Sequence, residues 1–469
     1  MKTVAIIGAG ITGLTAAWRL QEEGIPVTVY EAAPRVGGPI QSVRRDGYLA
    51  ECGPNGILET SPLISGLVKD LGLESRRFYC NPEAKRRYIV RDGRPLAAPD
   101  SAKNFLMTPL FSFGAKLRLA AEPLISRSAE KDECLADFVR RRLGQEFLDY
   151  AINPFVGGIY AGDPEQLSVH QAFPKLSEVE EQYGSLIAGQ FLGARARKRR
   201  GEVSKQRAPM FSFDEGLETL PRALAEKLGG AVRLNAAVTG LRRTPLGWEV
   251  ETERGCEDHS AVLIAVGAHQ MALLPIEAAG APDLSALTEV HYPPVASVTL
   301  GFKRLDVRAP LDGFGVLVPE AEKMNILGTI FTSSLYPNRA PERHVTLTSY
   351  IGGARAPHLA LQSREEIVAC VLKDLRQLLG IEGEPTFEHC IVFPEAIPQY
   401  NVGYGRFKQL MAEMEAAAPG LFIAGQARCG ISLSDSILSG HKGAERVENH
   451  LAAVDHHLGE SRLAHFEPT

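Results

Sequence analysis

Three glycines and one acid near the N-terminus carry the first recognisable chemistry of this chain. Gly8, Gly10 and Gly13 stand in Gly-x-Gly-x-x-Gly spacing between the apolar run Val4-Ala5-Ile6-Ile7 and the small residues Leu14-Thr15-Ala16-Ala17. A second apolar run, Val27-Thr28-Val29-Tyr30, ends in Glu31. This order predicts a strand, a tight turn, a helix and a parallel strand. Each glycine has its own task there. Gly8 turns the chain off the strand, Gly10 lets backbone approach a pyrophosphate, and Gly13 lets helix and strand pack closely. The helix N-terminus then directs free N–H groups and a partial positive charge at the phosphates. Glu31, about twenty residues on, can accept both hydroxyls of an adenosine ribose, which favours FAD or NAD and disfavours a 2′-phosphate.

The elements that must hold this turn lie in a chain of 469 residues with 45% hydrophobic content, long enough for several domains with ample core. A formal net charge of −5 argues against a general nucleic-acid binder. No apolar run reaches the length of a membrane span. The first residues enter a strand at once, so no signal or transit peptide is expected. Cys52, Cys80, Cys134, Cys256, Cys370, Cys390 and Cys429 are scattered and odd in number, and they read as reduced thiols of a cytoplasmic protein. No metal-ligand cluster is visible, with His450, His456 and His457 read as a solvated helix end, and no metal is expected. No catalytic side chain is assigned.

After Glu31-Ala32-Ala33-Pro34-Arg35-Val36-Gly37-Gly38, the Asp46-Gly47 pair predicts a hairpin, followed by Glu51-Cys52-Gly53-Pro54-Asn55-Gly56. Gly37-Gly38 clears room for a cofactor, and Arg35 can reach a phosphate or ribose. A second hairpin turns at Asp92-Gly93, with Arg86 and Arg91 read as solvated. From about Ser101 the pattern becomes helical. Leu135, Phe138, Val139 and Leu143 share a helix face, Arg140, Arg141 and Arg142 lie off it, and Asp132 is a candidate cap. The basic run 195–200 reads as a solvated loop or as attraction to anionic lipid. Phe211–Leu217 leads into a helix through Leu228. Strands are expected at Val232–Asn235, Trp248–Val250, Val262–Val266, Val295–Phe302, Gly315–Val318, Ile326–Phe331 and Val345–Ile351. A helix over Leu410–Ala417, the strand at Leu421, Gly425 and a serine-capped helix to about Leu451 close the chain. That capped helix start brings a positive end beside a cofactor.

The first fingerprint followed by Glu31-x-x-x-Arg35-x-Gly37-Gly38 resembles the flavin-containing amine oxidase superfamily. Further motifs resemble its protoporphyrinogen oxidase family: Glu51-x-Gly53-Pro54-Asn55, Arg87-Tyr88-Ile89, Asn153-Pro154-Phe155-Val156-x-Gly158 with Gly162-Asp163-Pro164, Leu327-Gly328-Thr329-Ile330-Phe331, Gly352-Gly353, and Leu421-Phe422-x-x-Gly425 with Ile431-Ser432. One departure is Pro39, where that superfamily commonly has Lys or Arg. The resemblance implies an α/β fold. A Rossmann-like FAD-binding domain (1–78, 233–289 and 405–469) would join a strand-rich substrate domain (79–98, 190–232 and 290–404) and an inserted helical domain (99–189).

It also implies FAD contacts from Gly8, Gly10, Thr12, Gly13, Glu31, Ala32, Arg35, Gly37, Gly38, Gly53, Pro54, Asn55, Val238, Gly425, Ile431, Ser432 and Leu433. On the substrate side, Arg87 would pair a propionate. Leu317, Ile330 and Tyr350 would sandwich a macrocycle, with plain core strand as the competing reading, and the Gly158 carbonyl would face the ring. Tyr350 stands where Phe is frequent, so its hydroxyl needs a partner. The implied reaction takes six hydrogens from protoporphyrinogen IX in three two-electron steps, with oxygen reduced to peroxide. Two associations stay open: peripheral attachment to the inner face of the cell membrane, and a homodimer or transient contact with the next haem-pathway enzyme. Leu106-Met107 and Leu110-Phe111 suit membrane attachment or a roof over the substrate.

Four rival readings remain. Coproporphyrinogen III oxidation would call for more basic residues around the pocket. A covalently flavinylated amine oxidase would carry a cysteine in Ile397–Arg406, which has none. An NAD(P)H-dependent dehydrogenase would show a second glycine fingerprint, and none is found. A non-catalytic flavin-binding scaffold would not need the Arg87 hairpin.

Overall fold

A computed structural model describes residues 3–128, 130, 132–189, 192 and 208–463, without the side chains of 455–463. The basic run 195–200 lies outside the described residues.

The strand Val4–Ile7 is buried along its whole length, as expected for a strand covered on both faces. It is central to a five-stranded parallel sheet in the order Val232–Arg233, Val27–Tyr30, Val4–Ile7, Ala261–Ile264, Leu421–Ile423. One face packs on the helices Ile11–Glu22 and Leu433–Leu463, through Leu14, Ala17, Ile437 and Val447. The other packs on the helix Gly405–Ala417 and on Trp248 from the antiparallel strands Val238–Thr244, Gly247–Thr252 and Gly255–His259. Strand order reverses between Val4–Ile7 and Ala261–Ile264. In doubly wound sheets ligands bind outside the carboxyl ends of the strands at this reversal. Phe211, Phe213 and Leu224, grouped on sequence with the substrate segment, pack into the first of these cores.

The second sheet has seven strands in the order Phe387–Phe393, Val295–Lys303, His344–Gly352, Ile326–Ile330, Gly313–Leu317, Arg86–Arg91, Arg94–Ala97. All neighbours are antiparallel except Gly313–Leu317 beside Arg86–Arg91. Its back is closed by the helix Arg364–Leu379. Val90, Val298, Val316 and Leu347 meet Ile367, Val371 and Leu375 there. That helix starts in a reciprocal capping box between Ser363 and Glu366. Since side chains alternate along a strand, Arg87, Leu317, Ile330 and Tyr350 all fall on the opposite face.

A helical layer approaches that face with its own core of Leu110, Phe111, Phe138, Val139, Phe147 and Val156. Several expectations change here. Leu110 and Phe111 are not surface groups: Phe111 stacks on Phe147 with centroids 4.3 Å apart. Leu106 and Met107 are exposed, by 67% and 78%. Among the described residues no helix is long and apolar enough to cross a membrane. Arg142 is fully buried, between Glu122 and Glu180. It lies seven residues after Leu135, on the same helix face, and its charge rather than its spacing suggested solvent. Arg91 is not solvated either. It pairs with Glu146 at 2.5 Å and ties the hairpin to the helical layer. Cys134, not Asp132, caps the helix Leu135–Arg142, and Asp132 instead bonds Ser168 and the Gly403 N–H.

Candidate functional site: a dinucleotide cradle facing an apolar slot

Gly8 adopts φ +102°, and a Cβ there would press on Val266 and the Ala265 carbonyl at the strand-order reversal. A Cβ on Gly13 would sit 2.0 Å from the Gly8 carbonyl oxygen. A Cβ on Gly10 would meet nothing within 4 Å. Gly10 is also the N-cap of Ile11–Glu22, which has no side-chain cap and no acid in its first turn. The first N–H groups of that helix are thus left for a ligand. Gly38 comes within 3.8 Å of Gly10 (Cβ position to Cα), and Gly425 faces Thr12 Oγ1 at 3.9 Å. Three side-chain-free residues therefore surround one helix N-terminus, a cradle shaped for a diphosphate.

Glu31 accepts N–H groups from Ala9 at 2.7 Å and Ala33 at 2.8 Å, one on each oxygen. Each oxygen keeps a lone pair for a ribose hydroxyl. Ala32 is exposed beside it, and the Ala236 N–H donates to the Glu31 carbonyl, bringing Val238 to the same edge. Arg35 is turned onto its own loop and donates to the carbonyls of Val36, Gly38 and Ile40. This fixes the Gly37-Gly38 backbone. The loop Gly53-Pro54-Asn55 rests on that one so closely that a Cβ on Gly53 would lie 2.6 Å from the Pro39 carbonyl oxygen. Cys52 beside it is buried, and burial pushes its thiol up to about 12, so it is no thiolate nucleophile. Across the crevice, Ser432 Oγ accepts the Asp435 N–H at 3.1 Å and caps the long helix, with Ile431 and Leu433 on either side. Thr12 Oγ1 donates to the Ser436 carbonyl and binds the two helix starts together.

The helix Asn153–Tyr160 packs against the sheet face that bears Arg87, Leu317, Ile330 and Tyr350, and this apolar seam is the candidate slot. A Cβ on Gly158 would stand 2.6 Å from Leu317 Cδ2, so a larger residue there would push the Leu317 side chain aside. Leu317, Gly328 and Tyr350 form one cross-strand row, and Arg87, Gly315 and Ile330 the next. Arg87 is exposed, its guanidinium 5.6 Å from the Phe314 ring centroid. Among the described residues no carboxylate pairs with it, whereas neighbouring Arg86 and Arg91 are both paired. Tyr350 closes the slot toward the cradle. Its hydroxyl donates to the Gly53 carbonyl at 3.0 Å and accepts from Asn55 Nδ2. Burial raises its pKa and keeps it protonated.

Sequence reasoning missed this link, because Tyr350 and Asn55 are 295 residues apart in the chain. It also missed Arg355, which donates to Asn153 Oδ1 at 2.8 Å and packs against Gly157. The one signal for Arg355 was its place two residues after Gly352-Gly353. Cys134, Asp137 and Glu165 bring ligand atoms within 4.8 Å of one another, but Arg140 already pairs both acids.

The family model for flavin-containing amine oxidoreductases matches residues 11–448. The mitochondrial protoporphyrinogen oxidase of Nicotiana tabacum is 35% identical, covering 97% of this chain and 96% of that protein. The coproporphyrinogen III oxidase of Bacillus subtilis (strain 168) is 32% identical, covering 94% and 96%. A crystal structure from Exiguobacterium sp. 255-15, with a provisional protoporphyrinogen oxidase name, superposes with a TM-score of 0.80 at 26% identity, covering 95% of this chain and 98% of that one. The uncrowded cradle and the carboxylate above it are what an adenine dinucleotide requires, and the likeness runs through both sheets. The chain belongs to the flavin-containing amine oxidoreductase family and is an FAD-dependent oxidoreductase.

Proposed function

We propose that this enzyme oxidises protoporphyrinogen IX to protoporphyrin IX, removing six hydrogens in three two-electron steps. The observation that carries the reading is the Arg87 guanidinium, unpaired among the described residues, on the same sheet face as Leu317, Ile330 and Tyr350. A macrocycle edged by propionates fits such a surface. The apolar rows hold its faces, and Arg87 offers a bidentate charge-assisted bond to a carboxylate. Bound FAD supplies the two-electron acceptor, and in this reading oxygen regenerates it with release of peroxide. The chain's own part is orientation. Gly158 admits the ring edge between helix and sheet, and Tyr350 fixes the wall nearest the cofactor loops. The ring gains aromaticity as it is oxidised, which is consistent with a slot in which no acid–base pair is found among the described residues. The FAD-binding, substrate and helical segments keep the ranges given above as part of this proposal, except that Phe211–Leu228 joins the FAD-binding core.

The second reading is coproporphyrinogen III oxidation, favoured by the 32% identical Bacillus subtilis relative. Four propionates need more cations than two. Arg355, the other arginine beside the slot, is committed to Asn153 Oδ1 and the Val318 carbonyl. Among the described residues, one unpaired guanidinium beside the slot supports the substrate with fewer carboxylates. Turnover of the two porphyrinogens, compared by porphyrin fluorescence, tests this. Preferred turnover of the coproporphyrinogen reverses the choice, and turnover of neither removes the proposal.

A further inference from the structure

The Tyr350 hydroxyl has a defined polarity. Its hydrogen goes to the Gly53 carbonyl, which leaves its oxygen to accept from the Asn55 amide nitrogen, with Ser297 also beside it. The same nitrogen lies 3.4 Å from the Gly53 carbonyl, which a flipped amide would oppose with its own oxygen. Asn55 Oδ1 is consequently turned the other way. It is buried with no hydrogen-bond partner among the described residues, in a side chain only 7% exposed. Leaving a buried acceptor unmet is costly, and such a group is met by a ligand or by an ordered water. Asn55 stands between the cradle loop and the slot wall, so a ligand that meets it is the cofactor or the substrate, and a bound water is the outcome in which neither the potential nor the KM responds.

We propose that Tyr350 is a positioning residue that locks the Asn55 amide so that Oδ1 accepts a hydrogen bond from an N–H group carried by the ligand. Two sources offer that chemistry: a ring N–H of the reduced flavin and a pyrrole N–H of the macrocycle. The second source rests on the proposed function, and the first does not. A phenylalanine at 350 would keep the apolar wall but release the amide to rotate. The tyrosine thus adds to the wall a fixed acceptor, which a purely stacking ring lacks.

The test uses Tyr350→Phe, Asn55→Ala and the double variant in full-length holoenzyme, each checked for FAD content and melting temperature. Anaerobic flavin reduction by porphyrinogen should slow about tenfold in Y350F, the scale of one lost hydrogen bond. In the N55A background the same change should cost about twofold or less, because Tyr350 acts through Asn55. The flavin midpoint potential, measured without substrate, identifies the donor. A cofactor N–H predicts that Y350F and N55A each lower it by about 30 mV, equivalent to tenfold for a two-electron couple. A substrate N–H predicts an unmoved potential and a raised KM for porphyrinogen. Equal costs of Y350F in both backgrounds, or a potential and a KM that both stay put, overturn the proposal. The potential is read without porphyrinogen, so a wrong substrate and a wrong role for Tyr350 give different results.

Discussion

Gly10 and Gly13 belong to one motif, yet substituting alanine at each should produce opposite defects. Gly10 has φ −69° and ψ 172°, which any L-residue adopts, and its Cβ position is open. In the apoprotein Gly10→Ala brings two small and opposing changes. The unfolded chain loses entropy, stabilising the fold by about 0.4–1 kcal/mol. Alanine is a poorer N-cap than glycine, which costs a similar amount, so apoprotein stability should stay within about 1 kcal/mol. FAD binding should suffer instead. A methyl group in the path of the diphosphate costs on the order of 1–3 kcal/mol, or about 5- to 150-fold in Kd. Gly13→Ala puts a carbon 2.0 Å from the Gly8 carbonyl oxygen and 3.2 Å from Ile6 Cγ2. Backbone, not a pliable side chain, is in the way, so the helix must lift off the strand before any ligand arrives. Thermal melts of the two apoproteins, with FAD titrations followed by flavin fluorescence, separate the cases. The reasoning fails if Gly10→Ala binds FAD like wild type, or if its apoprotein melts as low as that of Gly13→Ala.

Arg87→Ala should raise KM for porphyrinogen about 5- to 30-fold, the value of a partly exposed charge-assisted bond, and leave stability within about 0.5 kcal/mol, since among the described residues it loses no ion pair and only an exposed contact with the Phe314 ring. An unchanged KM at both low and high salt would remove Arg87 from the site. Glu180 tests the buried cluster of the helical layer by pH. Burial pushes its pKa up, but the Arg141 and Arg142 guanidiniums outweigh this and hold it below the ordinary carboxylate range. Its contribution is therefore present above the unfolded-state pKa, about 4.3, and is lost as pH falls through the depressed folded value. Melting curves should show Glu180→Gln less stable than wild type at neutral pH, the gap closing below about pH 4. A gap independent of pH would mean that the ion pairs are not its source.

The parts of this molecule that were legible in sequence are those whose physics is local. The glycine turn, both Asx-Gly hairpins and the Ser432 cap each depend on a few consecutive residues. Asp46 and Asp92 take positive φ next to glycines, as two-residue hairpin turns demand. Strand positions held because a fully buried parallel strand and a half-covered antiparallel one leave different apolar patterns. The errors arose where residue type was allowed to outvote spacing. Arg142 sits at the position a helix of this period buries, and two acids from distant segments make that burial tolerable. Leu110 and Phe111 suit membrane attachment or a roof over the substrate on sequence alone, and stacking on Phe147 removes the first for them.

The link between cradle and slot could not be read at all, because it exists only in register. Pairing sets Leu317 against Gly328 and Gly328 against Tyr350. A slip of one residue along His344–Gly352 would turn Tyr350 onto the Arg364–Leu379 side and give its place to Ser349 or Ile351. The hydroxyl would then lose Gly53 and Asn55, and with them its hydrogen bonds from the seven-stranded sheet to the Gly53-Pro54-Asn55 loop. Register is fixed from the far side. Leu347 and Ile351 are fully buried in the core beneath the helix, and moving them to the slot face would expose both. Thus the apolar packing on the back of the sheet, which touches neither ligand, aims Tyr350 at the flavin loop.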